Sequence, residues 1–385
     1  LLVSTSKQMP LIVQELHTRG LSFPVLVGGA AINRRFGRRI LFVKDGEDAQ
    51  APYAPGVFYC KDAFEGLDTV GALLSSERAA LVARNREEGL AELQRPVETA
   101  APSSRTRSST PLLAQADIPA PPFWGVSIIR AIPPIQVFPF LDKDELYRLS
   151  WGAKNTHGAA WDALRAQFDA RLASMTAEAQ KTGWLQPQAV YGYFPCQSEG
   201  NDLLIYDPAA MQAGVRAADL PVVGRFSFPR QEDDEHLCIA DYFAPREAGL
   251  LDVVALQVVT VGEGATQRFE QLQAAGDYSE AYFTHGLAVQ TAEATASWLH
   301  TRVQKELGHG PRGKRYSWGY GACPDLNDHH VVFDLLPVAQ ELGMSLTAAF
   351  QLVPEQSTAA IVVHHSAAKY YTIGGSRVEQ LLRAG

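Results

Sequence analysis

Near the far end of the 385-residue chain, Arg315 to Asp325 reads RYSWGYGACPD, a run that gathers groups able to hold a small charged molecule. Gly319 and Gly321 flank Tyr320, so the backbone can reach positive φ and present its amides and carbonyls around an aromatic ring. Arg315 brings a fixed charge whose planar fork matches a carboxylate. Together these residues suit a zwitterionic ligand that carries a flat base. The same residues also fit a structural turn in which Trp318 and Tyr320 plug the core. Cys323 has no neighbouring His and Asn arrangement that would make it a thiol nucleophile.

Two other stretches could carry chemistry. Gly28 and Gly29, in VLVGGAA, close an apolar strand at the end where open α/β sheets bind ligands, although a plain tight turn has the same signature. The segment DLNDHHVVFDLL reads as a helix start with Asp325 or Asn327 as N-cap, which makes His329 and His330 solvated residues rather than ligands. Adjacent side chains diverge on helices and strands alike, so neither that pair nor His364 and His365 forms a metal clamp. No GxGxxG fingerprint and no P-loop occurs, which removes support for nucleotide hydrolysis.

The elements that must position these residues fall into two units. Residues 1–93 open on an apolar, strand-like segment, then alternate helical LIVQELHTRG, strand-like FPVLVGGA and GVFYCKDA, and one long helical run from Phe64 to Leu93. Such alternation predicts a partial doubly wound, Rossmann-like α/β domain with a parallel sheet. Residues 94–122 turn to Pro, Ser, Thr and Ala and read as an extended linker, since they cannot bury enough apolar area to offset ordering. Residues 123–385 mix long helices with strands that do not alternate regularly, which predicts an α+β domain with a largely antiparallel sheet.

Composition narrows the function. A net charge of −8 and a pI near 5.7 argue against nucleic-acid or anionic-membrane partners. Four well-separated cysteines without a CxxC pair point to reduced thiols. The start lacks a signal-peptide pattern and no apolar run of 18 residues occurs, so a cytoplasmic protein is expected. Without an initiator Met, the start reads as a cut through a domain.

The loop also resembles a known family. Arg315, Gly319, Tyr320, Ala322, Cys323 and Pro324 fit the pattern R-x-x-x-G-Y-x-A-C-P of the reactivation domain of cobalamin-dependent methionine synthases. LSWGAKN, GYFPCQSEGNDLLIYD, FSFPRQ, CIADYFAP, ASWLHTRV and SAAKYYTIGG are similar to further family blocks in the same order. The first unit is similar to the carboxyl-terminal part of that family's cobalamin-binding domain.

The resemblance implies an S-adenosylmethionine site made by Arg315, Gly319, Tyr320, Ala322, Tyr370 and Tyr371. Ser150 stands where the family is expected to carry an acidic residue before a tryptophan, and Glu293 is the expected substitute. For the corrinoid, Gly28, Gly29 and Ala63 match positions along the nucleotide tail and Thr5 a hydroxyl near the base. The family's D-x-H-x-x-G motif, which supplies the cobalt ligand, is absent, so no metal ligand is expected in this chain; zinc would belong to modules outside it. The implied cofactors are cobalamin, as methylcobalamin, and S-adenosylmethionine. The implied partners are a flavodoxin-type electron donor and upstream homocysteine, folate and cobalamin modules of one longer polypeptide. The implied reaction is reductive remethylation of cob(II)alamin within a cycle that moves methyl groups from methyltetrahydrofolate to homocysteine. Two other classes also fit the residues: a corrinoid-carrier or S-adenosylmethionine-binding accessory module without turnover, and a free-standing methyltransferase.

Overall fold

A computed structural model describes residues 3–28, 34–45, 50–60, 63–93, 108, 110–154, 156–212, 214–231, 235–308 and 310–373, without the side chains of residues 3–8, 63 and 64. The chain start is helical, not strand-like: α1 spans Val3–Thr18. Met9, Val13 and Leu16 recur at helical spacing and pack on one core, which overrides the local β-branched start. The elements that follow are β1 (Val25–Gly28), α2 (Arg34–Arg39), β2 (Phe42–Lys44), β3 (Gln50–Pro52), β4 (Val57–Cys60), α3 (Ala63–Leu73) and α4 (Arg78–Leu93).

β1 runs parallel to β4, with Gly28 opposite Cys60, while β2 and β3 form an antiparallel pair. A Cβ on Gly28 would stand 2.6 Å from the Cys60 carbonyl oxygen, so the approach of the two strands alone demands glycine there. The helical run expected to continue from Phe64 to Leu93 is broken between α3 and α4. The Ser75 hydroxyl accepts from the Glu77 N–H and donates to the Ala72 carbonyl, which ends one helix and starts the next.

The second unit contains β5 (Gly125–Ile129), α5 (Pro134–Val137), a π-helical turn at Glu145–Ser150, α6 (Gly158–Thr182), β6 (Gln188–Glu199), β7 (Asp202–Tyr206), β8 (Val222–Ser227), β9 (Asp252–Thr260), α7 (Glu263–Ala274), α8 (Tyr278–Glu306), β10 (Lys314–Ser317), α9 (His329–Leu335), α10 (Val338–Leu342), β11 (Ser345–Leu346), β12 (Leu352–Val353) and β13 (Ser357–Val363). Seven strands form one sheet in the order β10-β13-β9-β6-β7-β8, with β5 also beside β6, and its pairs are antiparallel. Alternate residues serve two cores. Val254, Leu256 and Val258 face Trp318, Val332 and Leu336; Val253, Ala255 and Val259 face Ala294, Leu299 and Val303 of α8.

Two expectations change here. DLLPVAQELG is not one helix: α9 ends at Leu335 and α10 begins after Pro337, because a proline cannot continue the hydrogen-bond ladder. The stretch read as linker is anchored from Ser108 onward. Ser108 donates to Asp241 Oδ2 through its N–H at 3.0 Å and its hydroxyl at 2.6 Å, and the Pro111 carbonyl meets His365 Nε2 at 3.1 Å. Arg230 pairs with both oxygens of the same buried Asp241. Residues 94–107 lie outside the described residues. No helix among the described residues is long and apolar enough to cross a membrane.

Candidate functional site

β10 carries Arg315 and α8 carries Glu293, and the guanidinium Nη2 meets the carboxylate Oε2 at 3.0 Å. Arg315 Nη1 also reaches the Ser317 hydroxyl at 3.3 Å. β10 then enters a tight turn: the Gly319 N–H donates to the Cys323 carbonyl at 2.9 Å and the Cys323 N–H to the Tyr320 carbonyl at 3.2 Å. Gly319 sits at φ +88°, which only glycine adopts without strain. Inside this turn Trp318 is buried against Phe226, and its indole N–H donates to Asp328 Oδ2. Tyr320 instead stays 38% exposed, so of the two rings expected as core plugs only Trp318 acts as one.

The final described segment closes on the turn. The Ile373 N–H donates to the Gly321 carbonyl, and a Cβ on Gly321 would stand 2.6 Å from the Thr372 Cγ2. The Tyr316 hydroxyl donates to the Lys369 carbonyl at 2.8 Å, and its ring meets those of Tyr370 and Tyr371 edge-on. The Tyr371 hydroxyl is shut off from solvent and has no hydrogen-bond partner among the described residues, and burial pushes its pKa up.

These pieces enclose a cleft of about 1030 Å³, walled by Arg315, Glu293, Tyr320, Ala322, Tyr370 and Tyr371 among others. Six of the eight residues expected to hold S-adenosylmethionine therefore converge on one cavity. Gly319 shapes the turn behind it, and Ser150 does not line it. The Ser150 hydroxyl accepts instead from Gln290, which does line the cleft.

Sequence reasoning missed the acidic wall: Asp142 and Glu145 also line the cavity. Asp142 Oδ1 accepts from the Glu145 N–H at 3.0 Å, capping the turn that follows. That turn is π-helical, with the Trp151 N–H bonded to the Leu146 carbonyl, and it brings Glu145 and Leu149 to the same cavity. Partial burial raises the Glu145 pKa, and the neighbouring charges of Asp142 and Glu293 raise it further. The two residues could have been found as an Asp three positions before a Glu at a helix start.

Other expectations resolve as follows. Cys323 is buried, and its thiol pKa is pushed up by that burial, which leaves it a neutral core group. His329 is buried rather than solvated; its Nδ1 pairs with the Phe350 carbonyl at 2.7 Å and desolvation lowers its pKa. His330 is the exposed member. The N-cap of α9 is Asp328, not Asp325 or Asn327. His364 and His365 are buried and paired with Asp252 and the Pro111 carbonyl. Gly29 lies outside the described residues, as do the side chains of Thr5 and Ala63.

The second unit is thus an α+β domain whose sheet edge, long helix and C-terminal segment share one polar, aromatic cleft. The chain belongs to the family described as vitamin B12 dependent methionine synthase, activation domain, whose model matches residues 163–383. It is 32% identical to the methionine synthase of Mycobacterium tuberculosis and 32% identical to that of Mycobacterium leprae, each over 97% of this chain. It spans about a third, 34%, of the length of each of those relatives. The fold is similar to the crystal structure of a MetH reactivation domain bound to AdoHcy, with a TM-score of 0.58 and 24% identity over 69% of this chain and 90% of the other.

Proposed function

We propose that this chain is the C-terminal portion of a cobalamin-dependent methionine synthase and that its cleft holds S-adenosylmethionine for reductive remethylation of the corrinoid. The observation that carries this reading is the convergence of Arg315, Glu293, Tyr320, Ala322, Tyr370 and Tyr371 on one cavity. The residues fit the ligand chemically. Arg315 offers a fork for the methionine carboxylate, and Asp142 or Glu293 can accept from the ammonium. When bound, S-adenosylmethionine supplies an electrophilic sulfonium methyl.

The domain's own task is orientation, not proton transfer. Holding a methyl group in line with its acceptor can supply roughly 7 to 11 kcal/mol of a bimolecular barrier. Aromatic faces such as Tyr320 and Tyr370 at the cleft also favour a cationic sulfur. The first unit would contribute the corrinoid-tail contacts of Gly28, Gly29, Thr5 and Ala63. The other modules and a flavodoxin-type electron donor would act from outside this chain. Residues 94–122 would join the two units, with Ser108 and Pro111 held against the second.

Calorimetric titration with S-adenosylmethionine tests the site. The parent is expected to bind in the micromolar range, and Arg315→Ala to lose about 1.5 to 3 kcal/mol, as for a charged hydrogen bond. A folded parent that gives no heat and no binding would reject the assignment.

A further inference from the structure

Among the described residues that line the cleft, the charges do not balance. Asp142, Glu145 and Glu293 face it together with one guanidinium, Arg315. Glu293 and Arg315 are 3.0 Å apart and largely cancel. Asp142 is oriented by the Glu145 N–H and is placed to receive an ammonium. That leaves the Glu145 carboxylate, which stands with Leu149 on the wall formed by the π-helical turn.

We infer that Glu145 is a specificity-determining residue whose charge makes the cleft select the cationic sulfonium, S-adenosylmethionine, over the neutral thioether, S-adenosylhomocysteine. This deepens the site reading proposed above and rests on it. The two ligands share carboxylate, ammonium, ribose and base, and differ by one methyl group and one positive charge. Arg315 and one acidic residue answer the charges they share. The remaining carboxylate attracts the charge they do not. A cleft with net negative charge therefore holds the reactant and loses its hold once the methyl group has left, which favours product release. Because Glu145 reaches solvent, the attraction is screened and its effect is moderate.

The test is titration of the full chain with each ligand separately, at low and at high salt, for the parent, Glu145→Gln and Glu145→Asp. The expected result is a parent preference for S-adenosylmethionine that Glu145→Gln lowers about 3- to 10-fold. S-adenosylhomocysteine should bind that variant within about 2-fold of the parent, Glu145→Asp should restore part of the preference, and salt should weaken it. An unchanged preference in Glu145→Gln, or equal loss of both ligands, would overturn the inference. A parent that binds both ligands equally defeats this inference alone, whereas a folded parent that binds neither defeats the site reading and this inference with it.

Discussion

The two units of the chain settle their hydrophobic surface in different ways. In the second, the sheet is covered on both faces, and residues such as Val254, Leu256 and Ala296 are wholly buried. In the first, among the described residues, one small core draws on α1, α2, β1, β2 and β4, while Leu67 on α3 and Leu74 just after it remain 70% and 85% exposed and Phe23 62%. A parallel sheet is stable when both faces are buried, and one pair of strands cannot achieve that. The contrast teaches that the second unit has the means to fold alone, whereas the first presents surface suited to further structure.

The largest effect should come from the anchor of the second unit. Asp241 is buried and answered by Arg230 and Ser108. Burial pushes its pKa up, but the hydrogen bonds from Arg230 and Ser108 outweigh that and hold it below the usual carboxylate range. Its contribution to stability is therefore present above the unfolded value and is lost as pH falls through the lowered folded one. Arg230→Ala would take the opposite charge from a buried carboxylate and should cost about 3 to 5 kcal/mol, read as a drop in the denaturation midpoint of the second unit. A loss under 1 kcal/mol would mean that the Arg230 pair contributes little and that the other bonds to Asp241, those from Ser108 among them, suffice.

A smaller change sharpens the contrast by stabilising the second unit. Burial raises the Asp328 pKa to about 6 while Trp318 donates to it. The folded state then binds the proton more tightly than the unfolded state, so its stability contribution is full below about 4 and is lost as pH rises through about 6. Asp328→Asn keeps an acceptor for Trp318 without the buried charge. It should raise stability by about 1 to 2 kcal/mol at pH 8 and much less at pH 4.5, checked by thermal melts at both values.

The smallest effect tests the open face of the first unit. Leu74→Glu removes an exposed apolar group from the end of α3 and should change stability by no more than about 0.5 kcal/mol. It should reduce self-association in sedimentation velocity, since the exposed apolar face is what copies would share. Marked destabilisation would show instead that Leu74 is covered in solution.

Much of the architecture was legible in local patterns. Of the large sheet, β6, β7, β9 and β13 are legible as apolar runs while β5, β8 and β10 are not, α8 shows by its long helical period, and the loop after β10 by its arginine, glycines and tyrosine. These signals are local because hydrogen-bond periodicity and backbone freedom act over a few residues. What failed to show were facts of distant convergence. Ser150 stood at the expected acidic position, yet the acidic wall is made by Asp142 and Glu145, more than a hundred residues before Arg315. His329 looked solvated on its own helix and is buried by the Phe350 segment.

By itself the sequence determined the long helices, the apolar central strands and the loop with the freedom to turn beside Arg315, because those choices depend on side-chain period and on backbone permissiveness. Only the tertiary structure decided which carboxylates share the cleft with Arg315, that the strap from Ser108 is fastened to Asp241, and that the Tyr371 hydroxyl is shut off from solvent. Each of these depends on groups far apart in sequence meeting at hydrogen-bond distance or being shut off from water, and no periodicity along the chain encodes such a meeting.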